Sequence, residues 1–250
     1  MVSIQIFDSN DHLIKTFSTK PNKEKKEAKL NTENGNNIFY WDMMYPGAEK
    51  VKDMILWWAS LNGPMALPGN YKVSLQVGET TKSQNFTILK NPISETNLAD
   101  ATAQFNFIND INTKVTEIHK ALKNVKKVRA QVTSLQKSIS DKLKHSELLD
   151  YADSLLKEMK VIEETLYQTK SKSNQDPLNF PIRLNNKLAH LNSLTRIGSY
   201  APTEQAINFK NEITEEIDNQ LSKLYDLFKI KVKVLNQKVK DSQIDLIQLD

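Results

Sequence analysis

The 250-residue chain contains no cysteine, which excludes a disulfide framework and a metal site built from thiolates. It has only six glycines, and none of them belongs to a phosphate-binding loop, a dinucleotide fingerprint or a nucleophile elbow. No stretch approaches the roughly 18 apolar residues that a membrane span needs, and the N-terminus lacks an apolar signal core. The residues therefore predict no catalytic, cofactor or metal site and no membrane span, and we expect any export signal to lie outside them.

The charge is nearly balanced along the whole chain. Residues 1–95 carry 11 Lys and Arg against 10 Asp and Glu, and residues 96–250 carry 23 against 20. A nucleic-acid-binding protein usually presents a clustered basic face, so this balance predicts no nucleic-acid partner. The mixed-charge run Lys23–Lys29 is interpreted as a solvated loop or sheet edge.

The first ~90 residues show the alternation of apolar and polar residues that is typical of β-strands. Val2–Ile6 and Leu13–Phe17 flank turn residues and predict a hairpin, in which Asp11 can adopt the left-handed conformation. The continuously apolar run Met54–Ala59 predicts a strand that is covered on both faces. Further strands are predicted at Ile38–Trp41, Tyr71–Val77 and Phe86–Leu89. Short strands between turn signals predict an immunoglobulin-like β-sandwich over residues 1–92.

From residue 93 the apolar residues recur every three or four positions, which predicts helices. One stripe runs from Leu98 to Ile139 after an N-cap at Thr96 or Asn97, and another runs from Ala206 to Val239 after a cap at Thr203. Loss of phase at residues 140–146 predicts a turn, with a continuous helix to residue 170 as the alternative. Helices with single apolar stripes bury them against one another, so residues 93–250 predict an antiparallel bundle of three long helices and one short helix. The predicted fold class is therefore α+β with two domains.

The segment Gln175–Leu194, QDPLNFPIRLNNKLAHLNSL, lies between two long helical patterns and contains Pro177 and Pro181. Proline removes a backbone donor and clashes with the preceding turn, so the segment predicts a helix break followed by the short helix. Phe180 is predicted to be buried against the long helices. The polar side chains of the segment are interpreted as partners for stranded backbone groups at the helix ends; these are Asn179, Asn185, Asn186 and His190.

Neither the histidines nor the paired carboxylates form a catalytic pattern. His12, His119, His145 and His190 lie far apart and show no metal-binding spacing, although His190 is expected to form a hydrogen bond. Glu163-Glu164 and Glu215-Glu216 are adjacent on helices and point about 100° apart, so they cannot converge on one bond. Both pairs are interpreted as solvated surface.

The aromatic residues offer the one candidate contact site, formed by Trp57, Trp58 and Tyr45. Exposed aromatic rings can stack on sugars, and adjacent residues of a strand point to opposite faces. One tryptophan is therefore expected in the core. The other is expected to contact a ligand or to lie beneath a neighbouring domain.

Several passages together carry a family resemblance. IQIFDSNDHLIKTF, FYWDM and ALPGNYKVSL resemble the immunoglobulin-like module of flagellar hook-capping proteins. YWDMMYPGA, ILWWASLNGPMALPGNYKV, ILKNP and the segment Gln175–Leu194 resemble the C-terminal region of large secreted sortilin-like β-propeller proteins of the Bacteroidetes type, classed as glycosyl hydrolases.

The resemblance implies a non-catalytic C-terminal accessory region that docks onto an upstream β-propeller in a secreted, periplasmic or cell-surface protein. The propeller would carry any catalytic residues, so none is assigned here. Two alternatives remain open: a carbohydrate-binding module that uses an exposed tryptophan, and a helical protein-assembly module.

Overall fold

A computed structural model describes residues 1–24, 27–139 and 141–244. Lys25 and Lys26 of the predicted mixed-charge run, and Ser140 of the predicted turn, lie outside the described residues. The fold is mixed α+β, with a five-stranded sheet and long helices. The chain divides into two compact units, each assembled from separate stretches. The sheet unit comprises Met1–Ala48, Asn62–Asn112 and Thr195–Pro202, and the helical unit comprises Glu49–Leu61, Thr113–Leu194 and the described part of Thr203–Asp250.

The sheet has the strand order β3-β2-β1-β4-β5. Strand β1 pairs antiparallel with β2 and β4, β4 pairs antiparallel with β5, and the short β3 lies parallel to β2. The predicted β1–β2 hairpin is confirmed, and Asp11 has a φ of 62°, the left-handed conformation that aspartate tolerates in a turn. The strands are β1 Val2–Phe7, β2 Leu13–Ser18, β3 Ala28–Lys29, β4 Gly69–Val77 and β5 Thr80–Ile88.

One face of the sheet carries the core of the sheet unit, because alternate residues of each strand point to the same side. The buried residues of this core are Ile6, Ile14, Phe17, Leu30, Ala66 and Tyr71. The ring of Trp41 packs edge-on against Tyr71 and Phe86, with centroids 6.0 and 6.4 Å apart. Phe39 packs on the same core.

The predicted strand Ile38–Trp41 is wrong, although its alternation is real. Phe39 and Trp41 pack on the core, whereas Ile38 and Tyr40 are exposed. The segment thus lies across the sheet face without joining its hydrogen-bond ladder. The predicted strand Met54–Ala59 is also wrong, since this run has no regular secondary structure.

The predicted long helices are confirmed, and so are the helix breaks. Asn97, rather than Thr96, caps α1, because its Oδ1 accepts a hydrogen bond from the amide of Asp100 at 2.8 Å. Thr203 caps α4 through the amide of Ala206 at 3.2 Å. The turn before residue 146 is present, so the continuous helix to residue 170 is wrong. The helices are α1 Leu98–Ser138, α2 Ser146–Leu166, α3 Leu184–Thr195, α4 Glu204–Asp226 and α5 Val232–Asp241, with a 3₁₀ turn at Asp176–Leu178 and a π-helical turn at Leu227–Lys231.

The helical unit buries most of the apolar stripe residues that it contains, although Phe209 of the second stripe is exposed. Contacts between α1 and α2 join Arg129 to Glu163 and Gln136 to Asp153, so residue numbers rise along one helix as they fall along the other. These two helices are therefore antiparallel within the unit. The fully buried large side chains of this unit include Ile118, Leu122, Leu155, Met159, Leu166, Leu188, Ile217, Leu221 and Leu224.

The break predicted in Gln175–Leu194 is confirmed, but the burial of Phe180 is not. Phe180 is only half-buried and lies 6.0 Å from the ammonium group of Lys170, and Pro181 is exposed. The carboxylate of Asp176 instead organises the turn, because it accepts hydrogen bonds from the amides of Lys172 and Ser173 at 2.6 and 3.0 Å. Local polar contacts, more than the phenyl ring, stabilise this turn.

We expect the Phe180→Ala variant to lose about 1–2 kcal/mol of unfolding free energy, because a half-buried ring forfeits less transfer and cavity energy than the 3–5 kcal/mol of a buried one. Leu188→Ala, at a fully buried position of α3, should lose about 3–5 kcal/mol. Denaturant unfolding of both variants checks that Leu188→Ala loses more stability than Phe180→Ala. Equal losses would contradict the half-buried placement of Phe180.

Candidate functional site

The residues Glu49–Leu61, called here the tryptophan strap, belong to the helical unit although they are distant from it in sequence. They have no regular secondary structure. Their backbone groups therefore need partners outside a helix or sheet. Side chains from α1, from α3 and from Tyr167, the residue that follows α2, provide many of these partners.

The first residue of the strap is held by α1. The amide of Glu49 donates to Thr116 Oγ1 at 3.0 Å, and its carbonyl accepts from Nδ1 of His119. The carboxylate of Glu49 forms an ion pair with Lys123. One strap residue thus contacts three successive turns of the same helix.

Asn186 of α3 holds the centre of the strap at two points. Its Oδ1 accepts from the amide of Trp57 at 2.7 Å, and its Nδ2 donates to the carbonyl of Trp57 at 2.9 Å. A side-chain amide presents the same donor and acceptor as a peptide group, so Asn186 replaces the strand neighbour that Trp57 lacks. Asn186 is buried, which makes both bonds costly to lose.

Three further contacts hold the strap on either side of Trp57. Tyr167 OH accepts from the amide of Ile55 at 3.2 Å. Nδ1 of His190 donates to the carbonyl of Trp58 at 2.7 Å, and the amide of Ser60 donates to the carbonyl of Ala189 at 3.1 Å. The predicted hydrogen bond of His190 is confirmed, and its acceptor is the strap backbone.

Trp58 is the strap residue whose side chain these hydrogen bonds leave exposed to solvent. Its side chain is 74% exposed, and its backbone has a φ of 52°. A bulky non-glycine residue rarely adopts this left-handed conformation, and such strained residues cluster at functional sites. The hydrogen bonds to Trp57 and Trp58 hold the strained backbone in place.

The sequence predicts that the two tryptophan rings point to opposite faces of a strand. This prediction is wrong, because the rings lie side by side. Their centroids are 5.6 Å apart with an angle of 42° between the ring planes. Trp57 is half-buried and lies beside the exposed ring of Trp58. The left-handed turn at Trp58 explains this, because it abolishes the alternation of a strand.

Tyr45, the third candidate site residue, belongs to the sheet unit. Its ring packs edge-on against Phe105 with centroids 4.8 Å apart, and it borders the sheet core. Burial raises the pKa of its hydroxyl well above the usual range. These contacts favour a packing role for Tyr45.

A second buried polar group lies under the strap, where His119 of α1 meets Asn185 of α3. Both residues are fully buried. Nδ2 of Asn185 lies 3.1 Å from Nε2 of His119 and 3.5 Å from Sδ of Met54, while its Oδ1 has no hydrogen-bond partner. Burial lowers the pKa of His119, although the carbonyl of Glu49 opposes the shift.

The remaining sequence candidates occupy separate places. His12 lies in the β1–β2 hairpin beside Asp8, and His145 lies just before α2. Among the described residues, no group of three or more histidine or carboxylate side chains is placed to bind a metal ion. Within the same part of the chain, no helix combines the length and apolar composition required to cross a bilayer.

The adjacent carboxylates differ from one another. Glu215 and Glu216 are exposed, as predicted. Glu163 is buried and paired with Arg129, so its assignment to the solvated surface is wrong. Glu163 lies on the side of α2 that contacts α1, and the ion pair with Arg129 makes burial of the charge tolerable.

Each unit also has an open groove. In the helical unit, a groove of about 670 Å³ is lined by charged residues of both signs, among them Arg129, Lys157 and Glu163. In the sheet unit, an apolar cleft of about 580 Å³ is lined by Met43, Met65 and Phe105, among others. Neither groove includes Trp58 among its lining residues.

The sequence pointed to the tryptophans but missed the side chains that hold them. The available signal was the pair Asn185 and Asn186 on α3, which are polar residues at buried helix positions. A buried asparagine needs partners, and here most of those partners are strap atoms.

No protein-family model, curated protein or solved structure matches the chain.

Proposed function

We propose that this chain is a non-catalytic C-terminal accessory region of a larger secreted protein of the sortilin-like glycosyl hydrolase type, and that Trp58 docks it onto the upstream β-propeller. The observation that carries the proposal is the exposed ring of Trp58. Its backbone is strained and is held by a hydrogen bond from His190. Rigid aromatic side chains are the usual anchors of binding surfaces, because they bury a large area with little loss of conformational entropy.

The polar chemistry of the strap supports recognition rather than catalysis. Asn186 uses both ends of its amide on the backbone of Trp57, and His190 donates to the backbone of Trp58. A general acid or base needs a ring nitrogen or carboxylate directed at a substrate. These groups are directed at the strap, so their effect is to position Trp58.

The proposal includes the finer fold, an immunoglobulin-like sandwich over residues 1–92 followed by an antiparallel helical bundle over residues 93–250. It is supported by the antiparallel pairing of β1, β2, β4 and β5. The segment with Phe39 and Trp41 then acts as the second layer on the sheet face. The opposite directions of α1 and α2 support the bundle.

The test is a binding titration between this chain and the separately produced propeller of the parent protein. We expect Trp58→Ala to weaken binding at least about tenfold, the effect of about 1.4 kcal/mol at a central anchor. Its melting temperature should stay unchanged, because the ring is largely exposed.

Tyr40→Ala is the matched control, since this aromatic side chain is 84% exposed and lies outside the strap. It should bind like the wild type. If the propeller does not bind, or if Trp58→Ala binds with unchanged affinity, the docking role of Trp58 is wrong.

The second candidate function is carbohydrate binding, and the tilted pairing of Trp57 with Trp58 favours it. Two adjacent rings 5.6 Å apart offer a broad apolar platform beside polar groups, which suits the apolar face of a sugar ring. A screen against neutral oligosaccharides, read by tryptophan fluorescence, separates the two functions. A response lost in Trp58→Ala and retained in Tyr40→Ala supports sugar binding, and no response to any sugar rejects it.

A further inference from the structure

We propose that His119 and Asn185 form a proton-operated latch, which keeps the tryptophan strap docked at neutral pH and releases it in acid. The inference adds regulation to the proposed recognition surface, and so its biological meaning rests on that function. The latch itself concerns only the strap and can be measured without any partner.

The hydrogen bonds define the protonation state of His119 in the docked strap. The carbonyl of Glu49 can only accept, so Nδ1 of His119 must carry a proton. Nδ2 of Asn185 can only donate, so Nε2 of His119 must be the bare acceptor. The docked state therefore requires neutral imidazole with its proton on Nδ1.

A second proton on Nε2 places two donors against each other. Rotation of the Asn185 amide would direct Oδ1 to Nε2–H and relieve this clash. The same rotation would remove Nδ2 from Met54 Sδ and leave it where Oδ1 now lies without a partner. Either arrangement leaves a buried donor unsatisfied and loses or strains a contact to the strap.

The groups around His119 do not offset the free-energy cost of burying a charged imidazolium. The ring is fully buried. The strap contributes Glu49, whose carbonyl and charge favour protonation, but the carboxylate is already paired with Lys123 of α1, which opposes it. From α3 the group that faces the ring is the neutral amide of Asn185. Lifting the strap restores water to the ring, and it breaks no helix because the strap has no regular structure.

The direction of the pH effect follows from the pKa of His119, which burial lowers below its ordinary value of 6.5. The undocked strap then binds more protons than the docked strap, so acid favours release. Docking is complete above about pH 6.5, the unperturbed value, and weakens as the pH falls toward the lowered pKa of the docked state.

The experiment is amide hydrogen exchange of the full chain at about pH 7.5 and about pH 5, corrected for intrinsic rates. We expect protection of the strap amides to fall in acid, because the undocked strap binds the additional proton; these amides are those of Glu49, Ile55, Trp57 and Ser60. The amides of α4 should keep their protection. Unchanged strap protection at both pH values would overturn the latch.

His119→Gln removes the titration and should make strap protection independent of pH. His190→Gln is the matched control: the Nδ1–H of His190 donates to Trp58 in either protonation state, so this variant should keep the wild-type pH dependence. If the pH dependence persists in His119→Gln, the latch is wrong.

Should His119→Gln fail to fold, ring proton shifts of His119 in the wild type give the same answer. Its titration must coincide with the loss of strap protection, and separate midpoints contradict the latch. Binding by Trp58 is tested at neutral pH, where the strap is docked. If the hydrogen-exchange result contradicts the latch, the proposed function is unaffected. If the binding titration contradicts the proposed function, the latch can still be measured.

Discussion

Arg129→Ala is expected to lower the free energy of unfolding by about 3 kcal/mol, because it leaves Glu163 buried without its partner. Nη1 of Arg129 lies 3.3 Å from Oε1 of Glu163, and Nη2 bonds the other carboxylate oxygen, so the pair is bidentate. The side chain of Glu163 is 6% exposed and that of Arg129 is 36% exposed. Truncation of the arginine admits some water, which places the loss at the low end of the 3–5 kcal/mol found for broken buried pairs.

Urea unfolding of Arg129→Ala and Lys160→Ala checks this expectation. Lys160 pairs with the neighbouring Glu164 on the surface at 3.8 Å, so its truncation should cost at most about 1 kcal/mol. The double variant Arg129→Met with Glu163→Leu should recover most of the lost stability, because it removes both charges together. An Arg129→Ala variant as stable as the control would mean that Glu163 does not depend on the pair.

The helices and their ends could be predicted from the sequence because both signals are local. A helix repeats every 3.6 residues, so the stripe from Leu98 to Ile139 predicts α1 without knowledge of its partners. The caps at Asn97 and Thr203 bond amides only three residues away. Turn chemistry at Asp11 is equally local.

The strap could not be predicted, because its structure depends on residues far away in sequence. Met54–Ala59 is apolar at consecutive positions, which is typical of a strand covered on both sides. Its backbone is instead satisfied by side chains more than 100 positions later, such as Asn186 for Trp57. Propensity carries no information on such a pairing, and only the asparagines on α3 hinted at it.

The errors at Glu163 and Phe180 have a common cause, since residue type is a weak guide to burial. Glutamate is almost always exposed unless it is paired, and the partner of Glu163 lies 34 positions away on α1. Phenylalanine is usually buried, but Phe180 lies in a turn that is organised by the carboxylate of Asp176. The ion pair with Arg129 accompanies the burial of Glu163, and the hydrogen bonds of Asp176 organise the turn that contains Phe180.

The candidate site was therefore predicted in part. The tryptophans were named from composition, and the structure adds that Trp58 is exposed while Trp57 lies half-buried beside it. What holds the pair was indicated only by the asparagines of α3. The structure assigns that role mainly to α3, the short helix of the proline segment, through Asn186 and His190.

Asn186→Ala is expected to undock the strap, because it removes both hydrogen bonds to the backbone of Trp57. Both backbone groups face the buried side chain of Asn186, and leaving them without partners costs about 1–3 kcal/mol each, so the docked state should lose about 2 kcal/mol. The strap can open locally and hydrate these groups. The loss should therefore appear as an approximately thirtyfold decrease in protection of the Trp57 amide, at 1.4 kcal/mol per factor of ten, with little change in the exchange of α4.

Native-state hydrogen exchange at neutral pH measures this effect, and Asn179→Ala is the matched control. Asn179 is an exposed asparagine of the same proline segment. Among the described contacts, its side chain makes none with the strap, so its removal should leave Trp57 protected. Asn186→Asp provides a second variant: a carboxylate accepts from the amide of Trp57 but cannot donate to its carbonyl, so it should not restore wild-type protection. If Asn186→Ala retains wild-type protection at Trp57, the strap is held by its other contacts, and Asn186 does not position the exposed tryptophan.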